Sequence, residues 1–317
     1  MKPKLIIHIG PPKTGTTSLQ HYFLANRERH QPIFEYPTIG LAENTKEPFA
    51  HHNIARCLSV APRARGQFSP DCGTPDELLH ALEQRQTNVP VLLSSEGFWG
   101  LLLDSESRRA FEDYLLALRK TFDVTLLATW RNAVDFALSM YFHGAKRHIP
   151  APFPFPLERI TRFDHNFWRN VSDMSAVADH VCVVKYSKDI VGAYIRLLSE
   201  LLEQQLSDQH RDVRENQSFN TAQKMFALAC SMTPDAFNVA KYRRVIQSLK
   251  TADFSDAVQL TLDKRFDELR QQSEQKFAAF KPDAKITIVG SDDDSRSPRW
   301  TPQIFGKAPF AAARSGA

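Results

Sequence analysis

The chain has little of several things, and each shortage removes a class of protein. Cysteine is scarce: Cys57, Cys72, Cys182 and Cys230 are the whole complement. None stands in C-x-x-C or zinc-ligand spacing, so the chain reads neither as a disulfide-stapled scaffold nor as a zinc module. Cys182, inside an apolar run, is most simply a small core residue. Long hydrophobic runs are missing too. The apolar stretches are strand-length, far below the ~20 residues that cross a bilayer, and no membrane span is expected. Charge excess is slight, with 40 Lys and Arg against 36 Asp and Glu for a formal +4. Without a basic tract this falls short of a nucleic-acid-binding signature, and no nucleic-acid partner is expected. There is no internal repeat and no low-complexity block. No break in composition divides the 317 residues, of which 42% are hydrophobic and 10% aromatic. One domain over residues 1–317 with a single extended core is expected.

Against that background the run Gly10-Pro11-Pro12-Lys13-Thr14-Gly15-Thr16-Thr17-Ser18 stands out. The apolar stretch Leu5-Ile6-Ile7-His8-Ile9 precedes it, and a helical pattern through Leu19, Phe23 and Leu24 follows. Strand, glycine-bearing loop and helix together make an anion cradle. Backbone N–H groups at the helix start point outward, and the helix dipole adds partial positive charge. The phosphate loop of kinases and ATPases reads G-x-x-x-x-G-K-[ST]. Gly10 and Gly15 keep that spacing, but Thr16 stands in the lysine's place and the lysine comes earlier, at Lys13. From the loop's shoulder Lys13 reaches a leaving-group oxygen, while Thr16 and Thr17 add hydroxyl donors. Because the loop opens at Gly10, a cleaved leader would remove it; no signal peptide and a cytoplasmic location are expected.

Lys13-Thr14-Gly15-Thr16-Thr17 resembles the 5′-phosphosulfate loop of the sulfotransferases that use 3′-phosphoadenosine-5′-phosphosulfate (PAPS). A second segment is similar to the same family. Val124–Thr129 has the apolar, partly β-branched character of a buried strand. It ends in Trp130-Arg131-Asn132, ahead of a helical stretch with Asp135, Ser139 and Tyr141. This pattern resembles the family's 3′-phosphate segment. Arg131 offers a planar fork matched to phosphate oxygens, and Ser139 adds a hydroxyl. Asp135 shares a helix face with Ser139 and is expected to orient Arg131 or the loop. Alone, this is equally an ordinary strand–helix corner; paired with the loop, in the family's order, the anion role is favoured.

Val91-Leu92-Leu93-Ser94-Ser95-Glu96 reads as a buried strand with a carboxylate at its exit. Ligands of open α/β sheets sit beyond the carboxyl ends of the strands, which puts Glu96 on the same rim as Lys13 and Arg131. The resemblance implies a general base here, a histidine in the small-molecule enzymes and a glutamate in several carbohydrate enzymes. Glu96 fits the second kind and can take the acceptor's proton. Two other readings stay open: Glu96 caps the next turn, or His51 or His52 is the base. That pair lies in a polar stretch and reads as solvated. Tyr186 ends the apolar run Val181–Val184 and resembles in place the family's Tyr-Glu-Asp-Leu segment near the donor adenine. Ser187 and Lys188 replace the acidic pair, and a structural tyrosine fits as well.

Strand and helix patterns alternate to about residue 205. Thr74-Pro75-Asp76-Glu77 opens a helix with a capping box, and 105–122 is another, with Phe111, Leu115, Leu116 and Leu118 on its buried side. Alternation specifies a three-layer α/β architecture, a parallel sheet flanked by helices. The resemblance makes it a P-loop nucleotide-binding-like sulfotransferase fold, with the donor site within about residues 5–205. A helical extension is expected over about 206–290, with helices near 221–232, 234–249 and 254–279 and a late strand at 285–289. Residues 291–317 form a tail. The irregular stretches 28–73 and 150–156 are candidates for an acceptor cleft.

The resemblance implies transfer of a sulfuryl group from PAPS to a hydroxyl, without a metal. Lys13, Thr14, Gly15, Thr16, Thr17, Ser18, Arg131, Ser139 and Tyr186 are the implied donor-binding residues, with Lys13 and Glu96 catalytic. Ser18 stands where the small-molecule enzymes carry a tryptophan. With a glutamate base, that places the chain nearer the carbohydrate-modifying group and implies a saccharide or glycolipid acceptor. The family's C-terminal Arg-Lys-Gly motif is absent, so the second half of the 3′-phosphate site is unassigned. The alternatives are a P-loop ATP-dependent kinase, which the displaced lysine disfavours, and a non-catalytic nucleotide-binding module.

Overall fold

The computed structural model describes residues 2–41, 48–146, 148, 157–209, 223, 226–227, 230, 238–248 and 256–290. Strands β1 (Lys4–His8), β2 (Val91–Ser94), β3 (Asp123–Trp130), β4 (His180–Lys185) and β5 (Ile286–Val289) form one sheet in the order β2-β1-β3-β4-β5. Every neighbouring pair is parallel, as strands joined through helices require. The described helices are α1 (Thr16–Ala25), α2 (Arg27–His30), α3 (His52–Leu58), α4 (Pro62–Arg65), α5 (Pro75–Glu83), α6 (Gly97–Leu101), α7 (Ser105–Thr121), α8 (Ala133–Ala145), α9 (Leu157–Val177), α10 (Ile190–Leu202), α11 (Val239–Ser248) and α12 (Asp256–Ala279).

Side chains alternate across the sheet, so each strand feeds two cores. Leu5, Ile7 and Ile9 pack with Phe98 of α6, Phe111 and Leu115 of α7 and Phe167 of α9. Ile6, Leu92, Leu127, Cys182 and Val184 pack on the opposite face with Leu19 and Phe23 of α1 and Tyr194 and Leu198 of α10. Burial on both faces explains why the strands read as near-continuous apolar runs. Cys182 is one of these core residues, as its setting implied.

The local signals hold in detail. Thr74 and Glu77 form the reciprocal capping box that starts α5, and β5 is the late strand, parallel to β4. Leu116 is a correction: it is 45% exposed, while Phe111, Leu115 and Leu118 are buried. One residue is about 100° around a helix, and Leu116 falls past the edge of the buried stripe. The stretch 28–73 is less irregular than its composition implies, since it holds α2, α3, α4 and a 3₁₀ turn at Pro70–Cys72. Residues 150–156, most of 221–232 and the 291–317 tail lie outside the described residues.

Two features position the site. From β1 the chain passes to one side to make β2, then to the other to make β3. The crevice beyond the carboxyl ends of β1 and β3 is therefore a topological switch point, where such sheets take their ligands. Second, the last turns of α12 cross the ends of β3 and β4. Ser273 Oγ accepts from the Ala133 N–H at 3.0 Å. Glu274 pairs with Lys185 at 3.1 Å, and the Phe277 ring lies 4.4 Å from Trp130, centroid to centroid.

Candidate anion-binding site

The loop between β1 and α1 has an unusual backbone. Lys13 (φ 65°) and Gly15 (φ 82°) are both left-handed. That conformation is uncommon for a residue with a side chain and concentrates at functional turns. Glycine is required at position 15 for a further reason: a Cβ there would lie 2.4 Å from Ile190 Cγ2. Gly15 is also the N-cap of α1, has no side chain with which to cap it, and is followed by no acidic residue in the first turn, a setting in which a helix start receives an anion.

The loop hydroxyls are less available than their sequence implies. Thr14 is buried and braces the loop from inside, its Oγ1 donating to the Pro11 carbonyl at 2.6 Å. Thr16 Oγ1 donates to Glu96 Oε2 at 2.5 Å. Thr17 and Ser18 follow in the half-buried first turn of α1. What the cradle offers above all is backbone N–H.

Arg131 leaves β3 and reaches across the crevice. Its guanidinium donates to the Lys13 carbonyl and stacks on Tyr186, with Cζ 4.4 Å from the ring centroid. Lys13, Arg131 and Tyr186, singled out separately in the sequence, therefore meet. Arg131 Nε is buried without a hydrogen-bond partner, and no carboxylate pairs with this arginine among the described residues. Glu96 stands on the same rim, joined to the start of α1 through Thr16. Ser139 is half-buried on α8, and no hydrogen bond joins it to Arg131 or the loop among the described residues. Asp135 is a correction: its carboxylate pairs with Arg270 of α12 at 3.1 Å, not with Arg131 or the loop.

The histidines are a second correction. His51 and His52 are buried, not solvated. The Ser94 N–H donates to His51 Nδ1 at 3.1 Å, which leaves the proton on Nε2, where it meets the Pro37 carbonyl at 3.0 Å. Burial lowers the pKa of His51 to about 4. His52 Nδ1 lies 2.7 Å from Ser95 Oγ, which also accepts from the Gly97 N–H at 3.0 Å. A third histidine, His8 at the end of β1, places Nδ1 2.8 Å from Ser94 Oγ. Three imidazoles thus converge on the two serines that precede Glu96. His51 is locked into the scaffold and is a poor candidate for a base.

His8, Gln20 and Arg270 were not singled out in the sequence. His8 had a signal, since it shares with Ile6 one of the two buried faces of β1. Gln20, one turn after Thr16, is fully buried with both amide atoms unpartnered. Arg270 lies 135 residues from Asp135, a separation at which no local pattern operates.

Comparisons of the chain with protein-family models, curated proteins and solved structures gave no match. Among the described residues no helix is long and apolar enough to cross a membrane, and no cluster of three or more His, Cys, Asp or Glu side chains is placed to hold a metal ion.

Proposed function

We propose that the protein is a PAPS-dependent sulfotransferase that acts on a hydroxyl of a saccharide or glycolipid. The observation that carries this reading is the reach of Arg131 from β3 to the Lys13 carbonyl. It brings a fork with no carboxylate partner beside a loop of N–H donors, as a ligand with two separated anionic groups needs. The 5′-phosphosulfate is assigned to the loop at Gly15, Thr16 and Thr17, and the 3′-phosphate to Arg131, with Ser139 as a second donor. Tyr186, on whose ring the guanidinium stacks, is assigned to the adenine.

The acceptor oxygen attacks sulfur while the bond from sulfur to the 5′-phosphate oxygen breaks. Lys13 neutralises charge growing on that oxygen. Glu96 takes the acceptor's proton, and adenosine 3′,5′-bisphosphate leaves. The hydrogen bond from Thr16 fixes the Glu96 carboxylate beside the cradle and leaves its other oxygen for the acceptor.

Calorimetric titration with adenosine 3′,5′-bisphosphate in chelator, followed by labelled-sulfate transfer to a panel of glycans and glycolipids, tests the proposal. Binding without magnesium and turnover on one panel member are expected. Binding of ATP only with magnesium would favour a kinase, and nucleotide binding without transfer would favour a silent module. Either outcome rejects the proposal.

A further inference from the structure

His8 lies under the anion loop with one ring nitrogen unexplained. The side chain is fully buried. Nδ1 is engaged by Ser94 at 2.8 Å, and the ring meets Tyr194 edge-on at 5.1 Å. Nε2 is buried with no hydrogen-bond partner. Its position can be read from Gly10. A Cβ on that residue would come 2.6 Å from His8 Nε2 and 3.3 Å from Thr16 Cγ2. Nε2 therefore occupies the space a side chain at position 10 would fill, between the loop's first residue and the first residue of α1. An orphaned buried nitrogen is costly and calls for a partner that arrives with function. Here it lies against Gly10, the first residue of the loop, and close to Thr16 at the start of α1.

We propose that His8 is a proton-coupled positioning residue of the cradle: it is neutral when the loop is empty and holds a proton on Nε2 when the loop carries an anion. This rests on the reading above that the loop takes the phosphate end of the donor. Burial keeps the free ring neutral, with a pKa near 3. An anion in the loop supplies the opposite charge that favours the imidazolium. By reciprocity, the factor by which the anion raises proton affinity equals the factor by which the proton tightens anion binding. Loss of the proton weakens the hold on the product, and that assists its release.

The groups facing His8 do not supply this titration. Ser94 from β2, and Gly10 and Thr16 from the loop and α1, are neutral. Tyr194 from α10 hydrogen-bonds Thr129 at 2.7 Å, and its phenol is pushed up by burial. Behind Ser94 stand Tyr36, also raised, and His51, neutral by burial. Charge enters from Glu96 beside Thr16 and from Lys13 and Arg131 on the rim.

The sign is fixed by linkage. Between the free pKa and the higher pKa of the filled state, affinity falls as pH rises, by up to tenfold per pH unit. Above the filled-state pKa it levels off. The test follows the His8 ring nitrogens by ¹⁵N NMR in the intact protein at pH 6, with and without saturating adenosine 3′,5′-bisphosphate. One neutral ring nitrogen that becomes protonated on saturation is expected. In parallel, the affinity of wild type relative to His8→Asn should fall about tenfold from pH 5.5 to 8, the variant reporting the ligand's own titration. Should His8→Asn fail to fold, the ¹⁵N measurement on the wild-type protein decides alone. Binding with unchanged His8 nitrogens would overturn this inference and leave the donor site standing. No binding at all would overturn the donor reading itself.

Discussion

The crevice beyond β1 and β3 has two unlike banks. On the β1–β2 side, beneath a rim that carries Lys13 and Glu96, His8 and His51 are buried and neutral. His8 and His51 meet Ser94, and His52 meets Ser95. On the β3–β4 side they are charged and half-exposed. Arg131 stacks on Tyr186, Lys185 pairs with Glu274 and Arg270 with Asp135. Such a wall can lie inside the protein because most of its hydroxyls and ring nitrogens meet a partner, His8 Nε2 excepted. A charged wall keeps contact with water, since the cost of drying an ion pair exceeds most of its gain. The first bank therefore supplies a rigid, largely neutral support beneath Lys13 and Glu96, and the second supplies the Arg131 fork. A ligand bridging them is held in register by one and attracted by the other.

The sharpest way to break the comparison is acid. His8 and His51 are buried neutral, with pKa values lowered from 6.5 to about 3 and about 4. Unfolded, both bind protons below pH 6.5; folded, they resist. Stability is therefore complete above pH 6.5 and is lost as pH falls toward those lower values. At about 1.4 kcal/mol per pH unit, the full losses are about 5 kcal/mol for His8 and about 3 kcal/mol for His51. Urea unfolding at pH 7, 6, 5 and 4 should show a steep decline, flattened by His51→Asn. A flat profile to pH 5 would mean that the neutral bank is open to water.

Next in size is Arg131, which pairs with no carboxylate among the described residues. Arg131→Ala should weaken adenosine 3′,5′-bisphosphate by about 10- to 100-fold, or about 1.5–3 kcal/mol for a charge-assisted bond. Arg131→Lys should recover only part, because an ammonium neither forks nor stacks as a guanidinium does. Full recovery by lysine would reduce the role of Arg131 to charge alone.

The two banks also differ in how far they could be read from sequence. Glycine, proline and threonine chemistry announced the cradle, and apolar runs announced the strands that end at Glu96, Arg131 and Tyr186. These signals are local, and topology brought their ends to one rim. The histidine bank was misread because its stretch is polar. His51 and His52 are buried by serines about 43 positions away, and burial of a polar group depends on a partner, not on its own neighbours in sequence. Arg270 and the seal by α12 were hidden for the same reason. The meeting of Asp135 with Arg270 spans 135 residues and took from Arg131 a partner that helix spacing alone had offered it.

Within the neutral bank Gln20 breaks the pattern, with a buried amide that nothing satisfies. Gln20→Leu should raise stability by about 1–2 kcal/mol, since an unmet buried polar group costs about that much. Denaturant midpoints at constant slope provide the measurement. A loss of stability instead would show that the amide has a partner in solution.

The smallest effect is expected where the charged bank meets α12. The side chains of Arg270 and Asp135 are 27% and 45% exposed, so solvent screens the pair and its coupling should be under ~1 kcal/mol. A double-mutant cycle with Asp135→Asn and Arg270→Ala measures that coupling, and high salt should shrink it further. The same variants decide a second matter. Asp135 touches Arg270 and leaves Arg131 to Lys13 and Tyr186, so Asp135→Asn should change the affinity for adenosine 3′,5′-bisphosphate by less than about twofold, within the small range of screened surface pairs. A tenfold loss would return Asp135 to the role its helical spacing predicts, as the residue that orients Arg131.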